Sequence, residues 1–441
     1  MKIERRSFRS DVAHSFGTNV VIAVINLATG IMVARLLRPP GRGELAAIFN
    51  WPTVFSVLAV LGMSESLVYY CARERDRSGR YLGTSLVIAL GASVVFVIVG
   101  WLLMPVLLLA QRPETVATAR LYLLMVPIGA VLGLLARPLR GIGDIRGWNY
   151  LSVTHYLVWL LVLIAAALRG HATARSLALG FVGARLLLIP FTYVVVRHRM
   201  SRPLQLDRTL SRPLLRYGLP NVLAVLPNIF NMRLDQLLMA VFLPARDLGL
   251  YVVAVSWSQV TSPVLVAFTT VLFPRIAEAD EDQRRVLAAR GMRIGTLVSI
   301  VLMLIALPLT ELVIPLIFGA DYQDAVPAGV ILVVAFAASS TNSVQQEALR
   351  GLGRPSAVLY SQLAGLVVTV LGLALFLVPL GIDGAAIASL MGYSTIVIVL
   401  VFVGAKATAL PWPDVVLPRR GDVRFLLDQI PDPIRSRFPG R

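Results

Sequence analysis

Long apolar runs follow one another along almost the whole chain, separated by short polar segments. The pattern predicts twelve membrane-spanning helices, over 12–36, 44–70, 81–110, 118–139, 149–168, 174–196, 214–242, 248–274, 292–318, 326–349, 355–379 and 382–405. Each run matches the roughly 20 apolar residues that a helix needs to cross the hydrocarbon core. The runs are continuous and do not alternate at period two, so helices are expected rather than a barrel. The first run is also too long for the apolar core of a cleaved signal peptide, which spans about 7–15 residues, and it reads as the first span.

The longest connection is 197–213, with prolines at 203 and 213, and it parts the spans into two sixes. The expected organisation is an N-terminal six-helix lobe at 1–196, a cytoplasmic linker at 197–213 and a C-terminal six-helix lobe at 214–407. A cytoplasmic tail follows at 408–441. The tail is rich in proline and arginine, and its Phe425-Leu426-Leu427 is a candidate membrane-surface segment.

The two sixes resemble each other. Asn19 and Asn26 in the first span reappear as Asn221 and Asn228 in the seventh, at the same spacing. Leu139-Arg140-Gly141-Ile142-Gly143 after the fourth span matches Leu349-Arg350-Gly351-Leu352-Gly353 after the tenth. Met104-Pro105 and Ile314-Pro315 form a third pair in the same order. An even number of spans per repeat makes the halves parallel, related by an axis along the membrane normal, as in many transporters.

Composition supports the membrane reading. The chain is 57% hydrophobic and 15% charged, against about a quarter charged in soluble domains. The net charge of +17 raises the question of nucleic acid. Its placement answers it: 31 of the 41 Lys and Arg residues fall in the segments on the same side as the N-terminus, and 8 in the loops between. The positive-inside rule therefore predicts both termini in the cytoplasm, with the basic charge facing anionic headgroups. A bacterial cytoplasmic membrane is the expected location, and no nucleic-acid partner is expected. A single cysteine, Cys71, and four scattered histidines give no metal cluster. No cofactor is expected beyond a possible coupling proton or sodium ion. No nucleotide-binding or catalytic motif is present, so no enzymatic activity is expected.

Polar groups at bilayer depth are costly and mark function or tight packing. In the seventh span Asn221, Asn228 and Asp235 repeat every seven residues, with Asn231 between the last two. They form one stripe about 20 Å long, and Pro227 predicts a kink. Arg233 lies on the opposite side of that helix. Arg185 sits mid-way along the sixth span, too far from either end to reach water comfortably, and its repeat position is the neutral Ser394. Glu65, toward the cytoplasmic end of the second span, is a candidate partner for Arg185 or a coupling group. Arg35 ends the first span, at the mouth of the expected cleft or as an interfacial anchor. Glu347 and Arg350 are spaced for a local helix pair.

Three stretches carry a family resemblance: Val33 to Leu45, with Arg35, Arg38 and Arg42; Asn231-Met232-Arg233-Leu234-Asp235-Gln236; and Ala348 to Gly353. Over nearly the whole chain the sequence resembles the polysaccharide-repeat-unit flippases of the multidrug/oligosaccharidyl-lipid/polysaccharide (MOP) exporter superfamily. That resemblance implies an all-α MOP/MATE-like fold of two pseudo-symmetric six-helix lobes, and a cationic cleft that receives a lipid-linked diphosphate sugar. It implies binding or cavity roles for Arg35, Arg233 and Asp235. The residues themselves suggest Arg185, Asn19, Asn26, Asn221, Asn228 and Asn231 as further lining groups, with Asp235 and Glu65 as coupling candidates. The expected partners are the lipid-linked oligosaccharide, membrane lipids and polysaccharide-assembly proteins, for a protein acting as a monomer. Alternatives are a cation-coupled multidrug exporter of the same fold and a membrane polysaccharide polymerase or ligase. The short outer loops disfavour the last.

Overall fold

The computed structural model describes residues 8–170, 172–200, 204–419 and 421–422. The basic residues Lys2, Arg5 and Arg6 and the segment Phe425-Leu426-Leu427 lie outside the described residues. The described chain is helical throughout: α1 (Phe8–Ala59), α2 (Met63–Arg73), α3 (Ser78–Leu107), α4 (Pro113–Tyr122), α5 (Met125–Gly141), α6 (Ile145–Leu168) and α7 (Ala174–Arg197). These are followed by α8 (Ser211–Phe242), α9 (Ala245–Ser258), α10 (Ser262–Glu278), α11 (Glu281–Val313), α12 (Val326–Gly351), α13 (Pro355–Thr408) and α14 (Pro413–Val416).

Nine continuous helical stretches among the described residues are long and apolar enough to cross a membrane. Two of them hold two crossings each. Gly17–Arg73 runs 57 residues and Pro355–Thr408 runs 54, near 80 Å at about 1.5 Å per residue, more than twice the ~30 Å hydrocarbon thickness. Each contains a backbone break. In α1 it falls at Arg38 (φ 54°, ψ 176°), with Pro39 and Pro40 opening the next arm. Proline suits the first turn of a helix, where its missing N–H has no partner to lose. In α13 the break is Gly381 (φ 57°), a conformation glycine adopts without steric cost. The 32-residue α8 is long enough to cross but is outside the nine, because its asparagines, arginine and prolines lower its hydropathy. With it the predicted twelve crossings are all present as helix. The kink expected at Pro227 is absorbed within one continuous helix, 211–242, that also contains Pro220.

The described chain forms two compact units: 1–253 with 314–325, and 254–313 with 326–441. These units follow packing and need not coincide with the repeat boundary expected at 197–213.

In the first unit, the second arm of α1 and the start of α9 meet at backbone contact. A Cβ on Gly43 would lie 1.6 Å from the Ala245 carbonyl oxygen, and one on Gly249 would lie 1.9 Å from that of Pro39. Residue 39 faces 249 and residue 43 faces 245, a reciprocal arrangement produced by a local two-fold axis. The offset of 206 residues lies within the 202–210 spacing of the sequence repeats. The internal repeat is thus expressed as pseudo-symmetry at this seam. A second close approach joins Gly62 to Gly218, where a Cβ on Gly62 would lie 2.0 Å from the Gly218 carbonyl oxygen. Beside it the Ser66 hydroxyl donates to the Leu214 carbonyl (2.9 Å), and Tyr69 stacks on Tyr217 with ring centroids 4.5 Å apart.

In the second unit, α11, α12 and the two arms of α13 pack together and α14 lies against α11. On α11, Arg293 grips Asp422: Nε donates to Oδ2 at 2.7 Å and Nη2 to Oδ1 at 3.1 Å. Arg293 also donates to the Asp414 carbonyl at 2.8 Å. Both charges are buried, at 7% and 2% exposure. Burial alone would raise the Asp422 carboxyl, but hydrogen bonds from Arg293 and the Arg419 N–H, with the charges of Arg293 and Arg290, hold it below the usual carboxylate range.

Candidate functional site

The sequence-predicted site residues all belong to the first unit. Arg185 lies on α7, eleven residues past the helix start at Ala174. Its guanidinium carbon sits 4.8 Å from the Phe181 ring centroid, one turn earlier on the same helix. Phe181 meets Trp159 of α6 edge-on at 4.8 Å and Phe49 of α1 at 6.0 Å, and Phe49 stacks on Tyr122 of α4 at 4.5 Å. Four helices thus contribute rings to one aromatic cluster, and the cation lies over its Phe181 member. A guanidinium over a ring face is attracted by the ring quadrupole, most strongly where water is excluded.

No carboxylate in the described residues lies within ion-pair distance of Arg185, and its buried Nε has no hydrogen-bond partner. A desolvated, uncompensated cation is expensive and persists where it serves something. Here the rings supply part of the compensation and leave the donors free. On α6, one turn from Trp159, is His155, whose buried Nε2 is also without a hydrogen-bond partner.

Glu65, considered as a partner for Arg185, pairs instead with Arg137 of α5 at 3.6 Å. The reason is local: Arg137 is laid over the Trp148 ring at 5.1 Å, on the packed face of α5 against α2. The α8 stripe is polarised along its length. Asn231 and Asp235 are buried, at 3% and 4% exposure, and Tyr251 of α9 donates its hydroxyl to Asp235 at 2.5 Å. Asn221 and Asn228 are half-buried, and Asn221 turns its amide back to the Tyr217 carbonyl at 2.7 Å. Gln236, next to Asp235, accepts from Asn50 of α1 at 3.4 Å. Arg233 is half-buried on the other side of the helix.

Arg35 is committed to backbone. Its Nε donates to the Ile317 carbonyl and its Nη2 to that of Leu316, both at 2.8 Å. These carbonyls belong to a π-helical turn, Ile314–Phe318, which leaves acceptors outside the ordinary helical ladder. Tyr322 just beyond donates to the Ala34 carbonyl at 3.0 Å. Asn19 and Asn26 are exposed on the first arm of α1 and do not join the others inside this unit. The expected pair of Glu347 and Arg350 is present at 2.6 Å.

Sequence reasoning missed the ring of Phe49, Tyr122, Trp159 and Phe181, and it missed His155. The spacing was there to be read: Phe181 and Arg185 on α7, and His155 and Trp159 on α6, are both i,i+4 pairs. Among the described residues no group of three or more His, Cys, Asp or Glu is placed to hold a metal ion.

The fold is that of the MOP superfamily transporters. An inward-facing multidrug resistance MATE transporter of that superfamily superposes with a TM-score of 0.70 at 16% identity, covering 88% of this chain and 94% of its own. The lipid II flippase MurJ, in an inward closed conformation, gives 0.73 at 14% identity, covering 91% and 88%. A MOP transporter from Pyrococcus furiosus, described as having a binding pocket of reversed polarity, gives 0.58 at 17% identity, covering 89% and 93%. No curated protein matches the sequence significantly. The chain is therefore a multi-pass membrane protein of transporter fold. Residues 32–327 match the model of the polysaccharide biosynthesis protein family, and the chain belongs to that family.

Proposed function

We propose that this protein is a flippase that moves a lipid-linked oligosaccharide, carried on undecaprenyl diphosphate, from the cytoplasmic to the outer leaflet for cell-surface polysaccharide synthesis. The observation that carries the reading is Arg185: a half-buried guanidinium with its Nε buried and unpartnered, lying over Phe181 of a four-ring aromatic cluster, with no acidic partner among the described residues. A diphosphate is the group in such a substrate that hydrocarbon cannot accommodate, and a guanidinium fork is shaped to receive it. The flat ring faces beside it suit the apolar faces of sugar rings. The family match supports polysaccharide as the class of cargo. A cationic drug would meet a bare positive charge at this site, which disfavours the multidrug reading.

In this proposal the protein works by alternating access, without covalent chemistry of its own. It sits in the bacterial cytoplasmic membrane with both termini inside, as a monomer beside the polysaccharide-assembly proteins. Asn19, Asn26, Asn221 and Asn228 line the wet path of the sugar. Arg233 adds positive charge to that path, and Arg35 fixes the outer end of the first span. Asp235 and Glu65 are the acidic groups available for proton or sodium coupling. The test is Arg185→Ala in a strain that depends on this gene for surface polysaccharide. The expected result is loss of the polymer with normal levels of inserted, folded protein. Unchanged export from that variant refutes the assignment.

A further inference from the structure

We propose that His155 and Arg185 form a single anion site, in which the imidazole takes up a proton as the anion arrives. The inference rests on the diphosphate-carrier reading and adds a second ligand and a proton to it.

Two orphaned polar atoms lie at one level: Trp159 of α6 meets Phe181 of α7 at 4.8 Å, and His155 and Arg185 each stand one turn from that contact, toward the same end of the two helices. Nε2 of His155 and Nε of Arg185 are both buried and both lack a hydrogen-bond partner. They approach from different helices, α6 and α7, which pack along each other. Orphaned buried polar atoms are rare in folded proteins, and each calls for an explanation. Two at one level of neighbouring helices, both on nitrogen and both able to be cationic, share one explanation: an acceptor-rich group that both can reach. Phosphate oxygens are such acceptors, and a guanidinium beside an imidazolium gives them charge-assisted hydrogen bonds.

The protonation follows from the surroundings. Arg185 from α7 is the charged group that acts on His155. The other titratable groups nearby are phenols, Tyr122 of α4 and Tyr156 of α6, both of which act on Arg185. The α1 element contributes Phe49, which does not titrate. Arg137 of α5 lies over Trp148, seven residues before His155 on α6, and is already paired with Glu65. Without an anion, a second positive charge beside Arg185 is repelled. A diphosphate brings at least two negative charges and reverses the sign of the local field, so the imidazole gains a proton. That proton comes from water on the side the site faces. It sits between Nε2 and a phosphate oxygen and departs when the anion leaves. No covalent bond is made or broken.

The experiment uses the full-length protein in nanodiscs, titrated with farnesyl diphosphate in the calorimeter. Running each titration in two buffers of different ionisation enthalpy gives the protons taken up on binding. Wild type, His155→Gln and Arg185→Gln are compared, with thermal unfolding as a check on folding. Farnesyl diphosphate titrates too, and that contribution is common to all three proteins. The inference expects wild type to take up close to one more proton than His155→Gln, which retains binding with a flatter pH dependence. It expects Arg185→Gln to lose binding at least tenfold. If His155→Gln takes up as many protons as wild type while Arg185→Gln loses binding, the histidine inference is overturned and the carrier reading stands. If folded wild type does not bind the diphosphate, both fail. If Arg185→Gln binds as wild type does, the shared site does not exist.

Discussion

The two compact units use different chemistry for the polar groups they bury. The first keeps charge inside: Arg185 with a free Nε, Arg42 with another, and His155 between helices. In the second unit the orphaned atoms include both amide atoms of Gln345, the Asn342 carbonyl oxygen, the Thr369 hydroxyl and Oδ1 of Asp383, which is a carboxylate and not a cation. Arg293, a buried cation of this unit, is gripped by Asp422. Related sequence repeats contribute to both units, so the difference is not imposed by the scaffold. An amide orphan is satisfied by a water molecule. A buried guanidinium requires an anion. On the proposed function, the contrast assigns the anionic part of the cargo to the first unit.

The largest effect that sharpens this comparison is Arg185→Ala, for which export of the polymer is expected to fall to background. Loss of a charge-assisted bond pair is worth about 1.5–3 kcal/mol per bond, roughly tenfold to more than a hundredfold in binding. If Gln345→Leu in the second unit impairs export as severely while the protein remains folded, the division of labour is wrong.

Next is the glycine seam of the first unit. Gly43→Val places a side chain on a carbonyl that a Cβ would already approach to 1.6 Å. The expected result is several kcal/mol of destabilisation, read as loss of monodisperse protein in detergent. Gly91→Ala, where a Cβ meets nothing, is expected to leave folding unchanged.

In the second unit, Arg293→Met strands a buried carboxylate, and a loss of about 3–5 kcal/mol is expected. The double variant Arg293→Met/Asp422→Leu should recover most of it. The same pair predicts a pH dependence. Asp422 is held below its ordinary value, so its contribution is complete above the unfolded carboxyl value near 3.9. It is lost as pH falls through the lower folded value. Thermal unfolding from pH 7 down to pH 3 should show that loss in wild type and a smaller one in the double variant.

The smallest effect is the stability of Gln345→Leu. Replacing an unsatisfied buried amide by an apolar side chain of similar size is expected to change unfolding by less than about 1 kcal/mol.

The twelve crossings were legible in the sequence because bilayer thickness fixes the length of an apolar run. Even the two fused crossings in α1 and α13 are marked locally, by Pro39-Pro40 and by Gly381. Arg185 was legible as a candidate because a charge at mid-span is anomalous on composition alone. Its surroundings were not legible, because Phe49, Tyr122, Trp159 and Phe181 are ordinary residues on ordinary helices. The partner of Glu65 was equally hidden: Arg137 and Arg185 are both arginines at compatible depth, and only helix packing separates them. Arg35 looked like a lining residue and proves to hold the carbonyls of Leu316 and Ile317, nearly three hundred residues away.

The sequence by itself determined that this protein lives in a bilayer, how often it crosses and that it is built from a repeat. Those properties are set residue by residue, by transfer between water and lipid and by spacing along one chain. The tertiary structure alone decided which cation is left without a partner, which histidine stands beside it and where the repeats meet glycine to backbone. Pairing is a property of distance in space, and no local pattern encodes which of several equivalent arginines ends beside a carboxylate and which beside a ring.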